Sequence, residues 1–308
     1  MFMQSLWALA AAALFSIMAA FVKLCSGEHG PIEMVFYRSL FGVITIAFFV
    51  WSNRKTLTLR TKHIGGHIMR SVLGTLSVML WFYTLGKMHF GTNMTLIYTT
   101  PLFMAANFVI LAIMHKKPAP WAMVLSIIAG FAGVTTVLQP SFDGGEIVPA
   151  LVCLFVSFID LIIYWQMKQL GDLKEPSWRI VFYFTLFGTV SGLVGSYIFE
   201  GGLHMPSTTG IIGILGMGVC ATLGQICTTK SYAYGNMLLS SCLGFSAIPF
   251  SALISYFCFG EAASTIALAG MSLIIVSGMT ASVTTKRAEA AAKEEAKKAE
   301  EAAQAKAA

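Results

Sequence analysis

Ten apolar runs of about twenty residues each, separated by short polar loops, fill positions 3–284 of this chain. A helix rises 1.5 Å per residue and needs about 20 residues to cross about 30 Å of hydrocarbon, so each run has the length of one span. In lipid the backbone must satisfy its own N–H and C=O groups, which leaves only helices and closed barrels. Barrel strands would read as short alternating segments, and these runs are too long and too uniformly apolar for that. With 56% hydrophobic and 11% charged residues and a mean hydropathy of +0.75, the chain falls outside the range of soluble domains. The expected fold class is an all-α integral membrane protein with ten transmembrane helices, at 3–25, 32–52, 67–88, 93–115, 121–138, 147–170, 178–200, 209–231, 238–260 and 263–284.

One half of the chain restates the other. Val35-Phe36-Tyr37-Arg38-Ser39-Leu40-Phe41-Gly42 returns 146 residues on as Val181-Phe182-Tyr183-Phe184-Thr185-Leu186-Phe187-Gly188. Tyr83-Thr84-Leu85-Gly86-Lys87-Met88 returns 149 residues on as Tyr232-Ala233-Tyr234-Gly235-Asn236-Met237, and each copy is followed by a mid-segment proline, Pro101 and Pro249. An internal duplication in an apolar chain marks transporters. The division expected is a first five-helix repeat at 1–138, an extracytoplasmic linker at 139–146, a second five-helix repeat at 147–284 and a charged tail at 285–308. Five is odd, so the second copy must enter the bilayer from the opposite side, giving inverted repeats with a substrate site between them near the midplane.

The net charge of +6 does not point to nucleic acid, because the basic residues sit in short loops where they set topology. Arg54, Lys55, Arg60 and Lys62 follow the second span, with Arg70 just inside the third; Lys116 and Lys117 follow the fourth; Lys168, Lys174 and Arg179 surround the sixth loop; Lys286 and Arg287 follow the tenth. The loops after the fifth, seventh and ninth carry only Asp143, Glu146, Glu200 and Glu261 at or near their edges, which places both termini in the cytoplasm. No Lys or Arg precedes the first span, and its apolar stretch is too long for a signal peptide, so it is expected to stay attached. The six cysteines show neither a disulfide framework nor metal-ligand spacing, and no cofactor motif stands in a credible context. The Ala-, Lys- and Glu-rich tail has no apolar face and reads as a solvated, partly helical segment.

Two five-span halves, Phe36-Tyr37-Arg38 in the second span, proline in the fourth and ninth, and Phe259-Gly260-Glu261 closing the ninth resemble the EamA-type transporters of the drug/metabolite transporter superfamily. The resemblance covers about residues 3–284 and is specific for the superfamily rather than for a substrate. One departure is His115-Lys116, which stands where many members carry a glutamate matching Glu261. The second span and the Arg70-Ser71-Val72-Leu73-Gly74 opening of the third look most like a bacterial branch that includes S-adenosylmethionine and riboflavin carriers. The resemblance implies a multi-pass protein of a bacterial inner membrane, with a small-molecule substrate and the lipid bilayer as its partners.

Asp160 stands out as a candidate for substrate binding or coupling, because it lies 13 positions into the sixth span, about 20 Å along the helix. A carboxylate at that depth costs roughly 2.5–3.5 kcal/mol and needs a partner or a water-filled cavity. Arg38, six positions into the second span, could clamp a carboxylate or phosphate with its planar fork. An ion pair with Asp160 would need helices offset by about 10 Å, so two separated charges lining one cavity are expected instead. Trp81, Tyr83, Gln225 and Tyr232 read as an aromatic and amide wall able to stack a planar or cationic solute, with Tyr98 beside Pro101 as further lining. Pro101 and Pro249 remove a backbone donor and kink their helices, which makes them candidate hinges. Gly188 and Gly192, Gly130 and Gly133, Gly213 and Gly216, and Gly270 and Gly278 permit close helix contact, within the bundle first and at a homodimer face second.

The function expected is secondary transport of a small polar organic metabolite, amino-acid-like or nucleoside-like, for example S-adenosylmethionine, by alternating access. An intramembrane enzyme would need a second carboxylate or a histidine at the depth of Asp160, and the six histidines fall near span ends or loops. A membrane scaffold protein, with the tail as its working part, or a lipid-type flippase are the alternatives.

Overall fold

The computed structural model describes residues 2–54, 57–114, 121–143 and 146–281, with positions 283, 284, 287 and 290 beyond them. Lys55, His115, Lys116, Lys117, Lys286 and most of the 285–308 tail lie outside the described residues. Within them every regular element is a helix. In chain order these are α1 (Phe2–Ser5), α2 (Trp7–Cys25), α3 (Pro31–Ser52), α4 (Ile64–Leu85), α5 (Phe90–Ile97), α6 (Thr100–Met114), α7 (Trp121–Asp143), α8 (Ile147–Asp172), α9 (Ser177–Phe199), α10 (Thr208–Tyr234), α11 (Met237–Gly244), α12 (Ala247–Phe259) and α13 (Thr265–Ala281). Eight stretches are long and apolar enough to cross a membrane, with α5 and α6 counted as one and α11 with α12 as another; Trp121–Val137 and α13 are shorter apolar helices.

Helix ends follow local chemistry. Pro31 opens α3 at a position where its missing N–H costs nothing. The Ser207 hydroxyl caps α10 by accepting from Gly210 N at 3.0 Å, and Asn236 Oδ1 caps α11 by accepting from Leu239 N at 2.9 Å. Gly260, with φ of 64°, ends α12 in the left-handed conformation that glycine adopts without strain.

The two mid-span prolines do not kink continuous helices. The chain breaks ahead of each one, at Tyr98-Thr99 and at Phe245-Ser246, and Pro101 and Pro249 sit in the first turn of α6 and α12. A first-turn proline needs no i−4 acceptor of its own, so the break removes the clash a mid-helix ring would cause. The carbonyl of Ile97, which Pro101 cannot serve, is met from α8: Ser157 Oγ lies 2.9 Å from it and 2.8 Å from the carbonyl of Leu96. Irregular backbone at membrane depth is tolerated where protein groups satisfy it in this way.

Close helix contacts join the two halves of the chain. On α9, Gly192 comes so near α3 that a Cβ there would stand 2.8 Å from Phe36 N and 2.9 Å from its Cα. Two positions further round, about 200° on a helix, Val190, Val194 and Ile198 are exposed, an apolar outer stripe of the kind that faces lipid. Gly133 of α7 and Gly270 of α13 meet in the same fashion, each Cβ position 3.0 Å from the other's carbonyl oxygen. The small-residue faces named from the sequence are therefore occupied inside one chain. Glu200, just past α9, caps the first turn of α3, its oxygens accepting from Ile32 N at 2.9 Å and Glu33 N at 2.8 Å.

Polar clusters tie elements together at each end of the bundle. At one end Lys23 Nζ pairs with Glu261 Oε1 at 2.6 Å and donates to the Met88 carbonyl at 3.1 Å, while Glu261 Oε2 accepts from Phe90 N at 2.8 Å. At the other, Glu175 accepts from Thr61 Oγ1 and from Arg179 Nη1 at 2.8 Å, and Arg179 also donates to the Thr58 carbonyl, so the loop after α3 is pinned to the start of α9.

Candidate functional site

Halfway along the bundle the helices leave a cavity of about 70 Å³, room for a few waters on the scale of roughly 10–15 Å³ each. Its walls come from both halves of the chain. One face of α4 supplies Arg70, Gly74, Ser77, Val78 and Trp81, at the i, i+4, i+7, i+8, i+11 spacing that lines one side of a helix. One face of α8 supplies Asp160, Ile163, Tyr164 and Met167 on the same logic. Arg38 of α3, Phe184 of α9, Gln225 and Thr228 of α10, Phe15 of α2, and Ile97 with Tyr98 at the α5–α6 break complete the lining.

Five of the seven candidate binding residues therefore meet: Asp160, Arg38, Trp81, Tyr98 and Gln225. Tyr232 lies one layer behind, buried and stacked on Tyr164 with ring centroids 3.9 Å apart and planes 9° from parallel. Tyr83 is elsewhere, 38% exposed on α4. It stands two residues from Trp81, about 200° round the helix, so the two rings point to opposite sides. Pro101 and Pro249 are not cavity walls; Pro101 follows the α5–α6 break three residues after the lining residue Tyr98.

Asp160 and Arg38 share the cavity without touching, as two separated charges. Asp160 Oδ1 accepts from Ser77 Oγ at 2.7 Å, a bond between α8 and α4. Trp81 Nε1 donates to Asn93 Oδ1 at 3.1 Å, and Asn93 Nδ2 donates to Thr84 Oγ1 at 2.8 Å, which fixes the indole from behind.

Sequence reasoning assigned Arg70 to loop-side topology because the third span was begun at residue 67. The helix begins at Ile64, which carries Arg70 six residues in, about 9 Å along the axis, and it is 3% exposed. Its guanidinium carbon lies 4.4 Å from the Phe184 ring centroid, and that of Arg38, 2% exposed, lies 5.5 Å from the same ring. A side chain at Gly74 would collide with Arg70 Nη1, so glycine there keeps the space for the guanidinium. Tyr164 and Ser77 also went unread. The spacing of positions 70, 74, 77 and 81 was the available signal for the α4 wall.

Residues 3–139 match the EamA-like transporter family. Among curated proteins the chain is 25% identical over 229 residues to a Helicobacter pylori protein described as an uncharacterized transporter, covering 72% of this chain and 74% of that one. It is 24% identical over 275 residues to a pseudopaline exporter of Pseudomonas aeruginosa, covering 88% and 93%, and 22% identical over 282 residues to a riboflavin transporter of Vibrio cholerae, covering 89% and 90%. A solved crystal structure matches with a TM-score of 0.68 at 17% identity, over 93% of this chain and 98% of the other, a likeness of fold. With an EamA match over residues 3–139, named transporters similar along most of its length and eight stretches long and apolar enough to cross a membrane, the chain is similar to EamA-type transporters of the drug/metabolite transporter superfamily.

Proposed function

We propose that this protein is a secondary transporter that moves a small polar organic metabolite, amino-acid-like or nucleoside-like, across a bacterial inner membrane by alternating access, with both termini in the cytoplasm. The observation that carries this reading is the mid-bundle cavity, which gathers Asp160, Arg38, Trp81, Tyr98 and Gln225 from both halves of the chain. Small-molecule sites are concave, mostly apolar and fitted with a few placed polar groups, and this cavity has that make-up.

The two-repeat, ten-span arrangement is supported by where the helices break. The second break follows the first at a constant interval, since α5 and α11 begin 147 residues apart and so do α6 and α12. Discontinuous helices in corresponding positions of two halves point to the binding site of a transporter. In this reading the breaks ahead of Pro101 and Pro249 are hinges, and Asp160 and the aromatic walls take the solute. The riboflavin transporters among the relatives favour a solute with a planar ring, which Trp81, Tyr98 and Tyr164 could flank.

The test is a metabolite screen by thermal stabilisation of the purified full chain, with Asp160→Asn and Arg38→Ala in parallel, since a ligand of the folded form raises its apparent stability. A ligand that stabilises the native chain and loses its effect in both variants supports the reading. A ligand whose effect survives both substitutions removes these residues from the site.

A further inference from the structure

Arg38 and Arg70 present the cavity with a chemical demand that the protein itself leaves unmet. Both are nearly fully buried, and both rest on the Phe184 ring. Arg38 Nε, Arg70 Nε and Arg70 Nη1 are buried without a hydrogen-bond partner. Among the described residues neither guanidinium lies within 4.0 Å of a carboxylate. The one carboxylate on the cavity wall, Asp160, spends Oδ1 on Ser77.

Buried guanidinium donors are normally paired, and an unpaired charge at this depth is costly to keep. Aromatic faces offset part of that cost through cation–π attraction but satisfy none of the N–H groups. Two arginines against one aspartate leave the cavity with an excess positive charge of one when Asp160 is ionised and two when it carries a proton. The planar fork of arginine fits carboxylate and phosphate oxygens.

We infer that the solute is an organic anion, with at least one more anionic than cationic group, whose carboxylate or phosphate oxygens take the free donors of Arg38 and Arg70. Asp160 then faces a cationic or hydrogen-bond-donating group on the same molecule. Arg70, which no sequence reading placed in the site, becomes a binding residue, and Gly74 holds the space it needs. The inference rests on the transporter reading above and narrows its substrate class.

The test has two arms. In the first, full-length protein in proteoliposomes is offered a uniformly labelled bacterial metabolite extract, and the solutes that cross are compared with protein-free vesicles. Solutes with net negative charge at pH 7 are expected, with Arg70→Gln reducing their rate about tenfold or more, as loss of a charge-assisted hydrogen bond implies, and Arg70→Lys reducing it less. Phosphate esters or carboxylates among them name the oxyanion. Transport confined to neutral or cationic solutes overturns the anion inference and leaves the transporter reading standing. The second arm needs no transport: thermal unfolding with malonate, methylphosphonate or neutral malonamide at equal ionic strength. An anion-specific rise in the native chain that is absent in Arg70→Gln supports the site even where nothing crosses, in which case only the transporter reading falls. Equal shifts from malonamide, or shifts unchanged in Arg70→Gln, overturn the anion site.

Discussion

The Ser77 hydroxyl donates to Asp160 Oδ1 at 2.7 Å, joining α4 to α8 across the wall of the central cavity. Removing it with Ser77→Ala leaves a carboxylate at membrane depth without that donor. The expected loss is about 1–2 kcal/mol, read as a lower midpoint in thermal unfolding in detergent. In Asp160→Asn the same alanine substitution should cost less, because the uncharged amide has less need of the donor. Equal costs in the two backgrounds would mean the bond does not couple these residues.

Ser157 supports the α5–α6 break by lying 2.8 and 2.9 Å from the carbonyls of Leu96 and Ile97. Ser157→Ala should destabilise the chain by about 1 kcal/mol. Pro101→Ala supplies an N–H that can serve the Ile97 carbonyl, so the double variant should recover part of the loss. Its signature is sub-additivity in the unfolding midpoints, and strict additivity would show that the proline does not create the need for Ser157.

Gly192 sets the separation of α3 and α9. A Cβ there would press on Phe36 backbone atoms at 2.8 and 2.9 Å, and backbone cannot rotate away. Gly192→Ala should therefore cost about 1–3 kcal/mol of stability as overpacking, while Val190→Ala on the exposed side of α9 should change it by less than about 0.5 kcal/mol. A neutral Gly192→Ala would disprove the close contact.

Acid should loosen the end of the bundle that carries Glu175. Burial by itself raises the Glu175 carboxyl, but hydrogen bonds from Thr61 and Arg179 and the positive charge of Arg179 outweigh it and hold the group below the usual carboxylate range. Burial likewise raises the Glu261 carboxyl, and Lys23, with the Phe90 N–H, overrides it downward. A carboxyl depressed in the folded chain contributes stability above its unfolded value of about 4.3 that is lost as pH falls through the folded value. The unfolding midpoint should drop on acidification below about pH 4.5, and Glu175→Gln should show a lower midpoint at pH 7 with a shallower acid fall. An unchanged acid limb would mean Glu175 is not ionised in the folded protein.

Much of the site could be read from residue type and depth alone. Asp160 and Arg38 stood out because charges inside apolar runs are costly, and both reached the cavity. Arg70 escaped notice because a span boundary set three residues late left it at the very edge of the span, grouped with the topology-setting charges. Tyr83 was grouped with Trp81 on residue type, and helical geometry separates them. Tyr164 and Ser77 carry no unusual signal in a span; only their neighbours reveal them.

By itself the sequence determined that this chain is helical and apolar enough to cross a membrane, because twenty-residue apolar runs leave the backbone no other way to satisfy its hydrogen bonds in lipid. It also set which residues would be expensive to bury. Only the tertiary structure decided which of those share a cavity, that two helices break ahead of their prolines, and that two arginines rest on one phenylalanine while a serine takes the aspartate. Apolar length is a one-dimensional property written along the chain. Which faces of separate helices meet depends on side-chain direction and close packing between segments far apart in the chain, 83 residues for Ser77 and Asp160, and no local pattern encodes that.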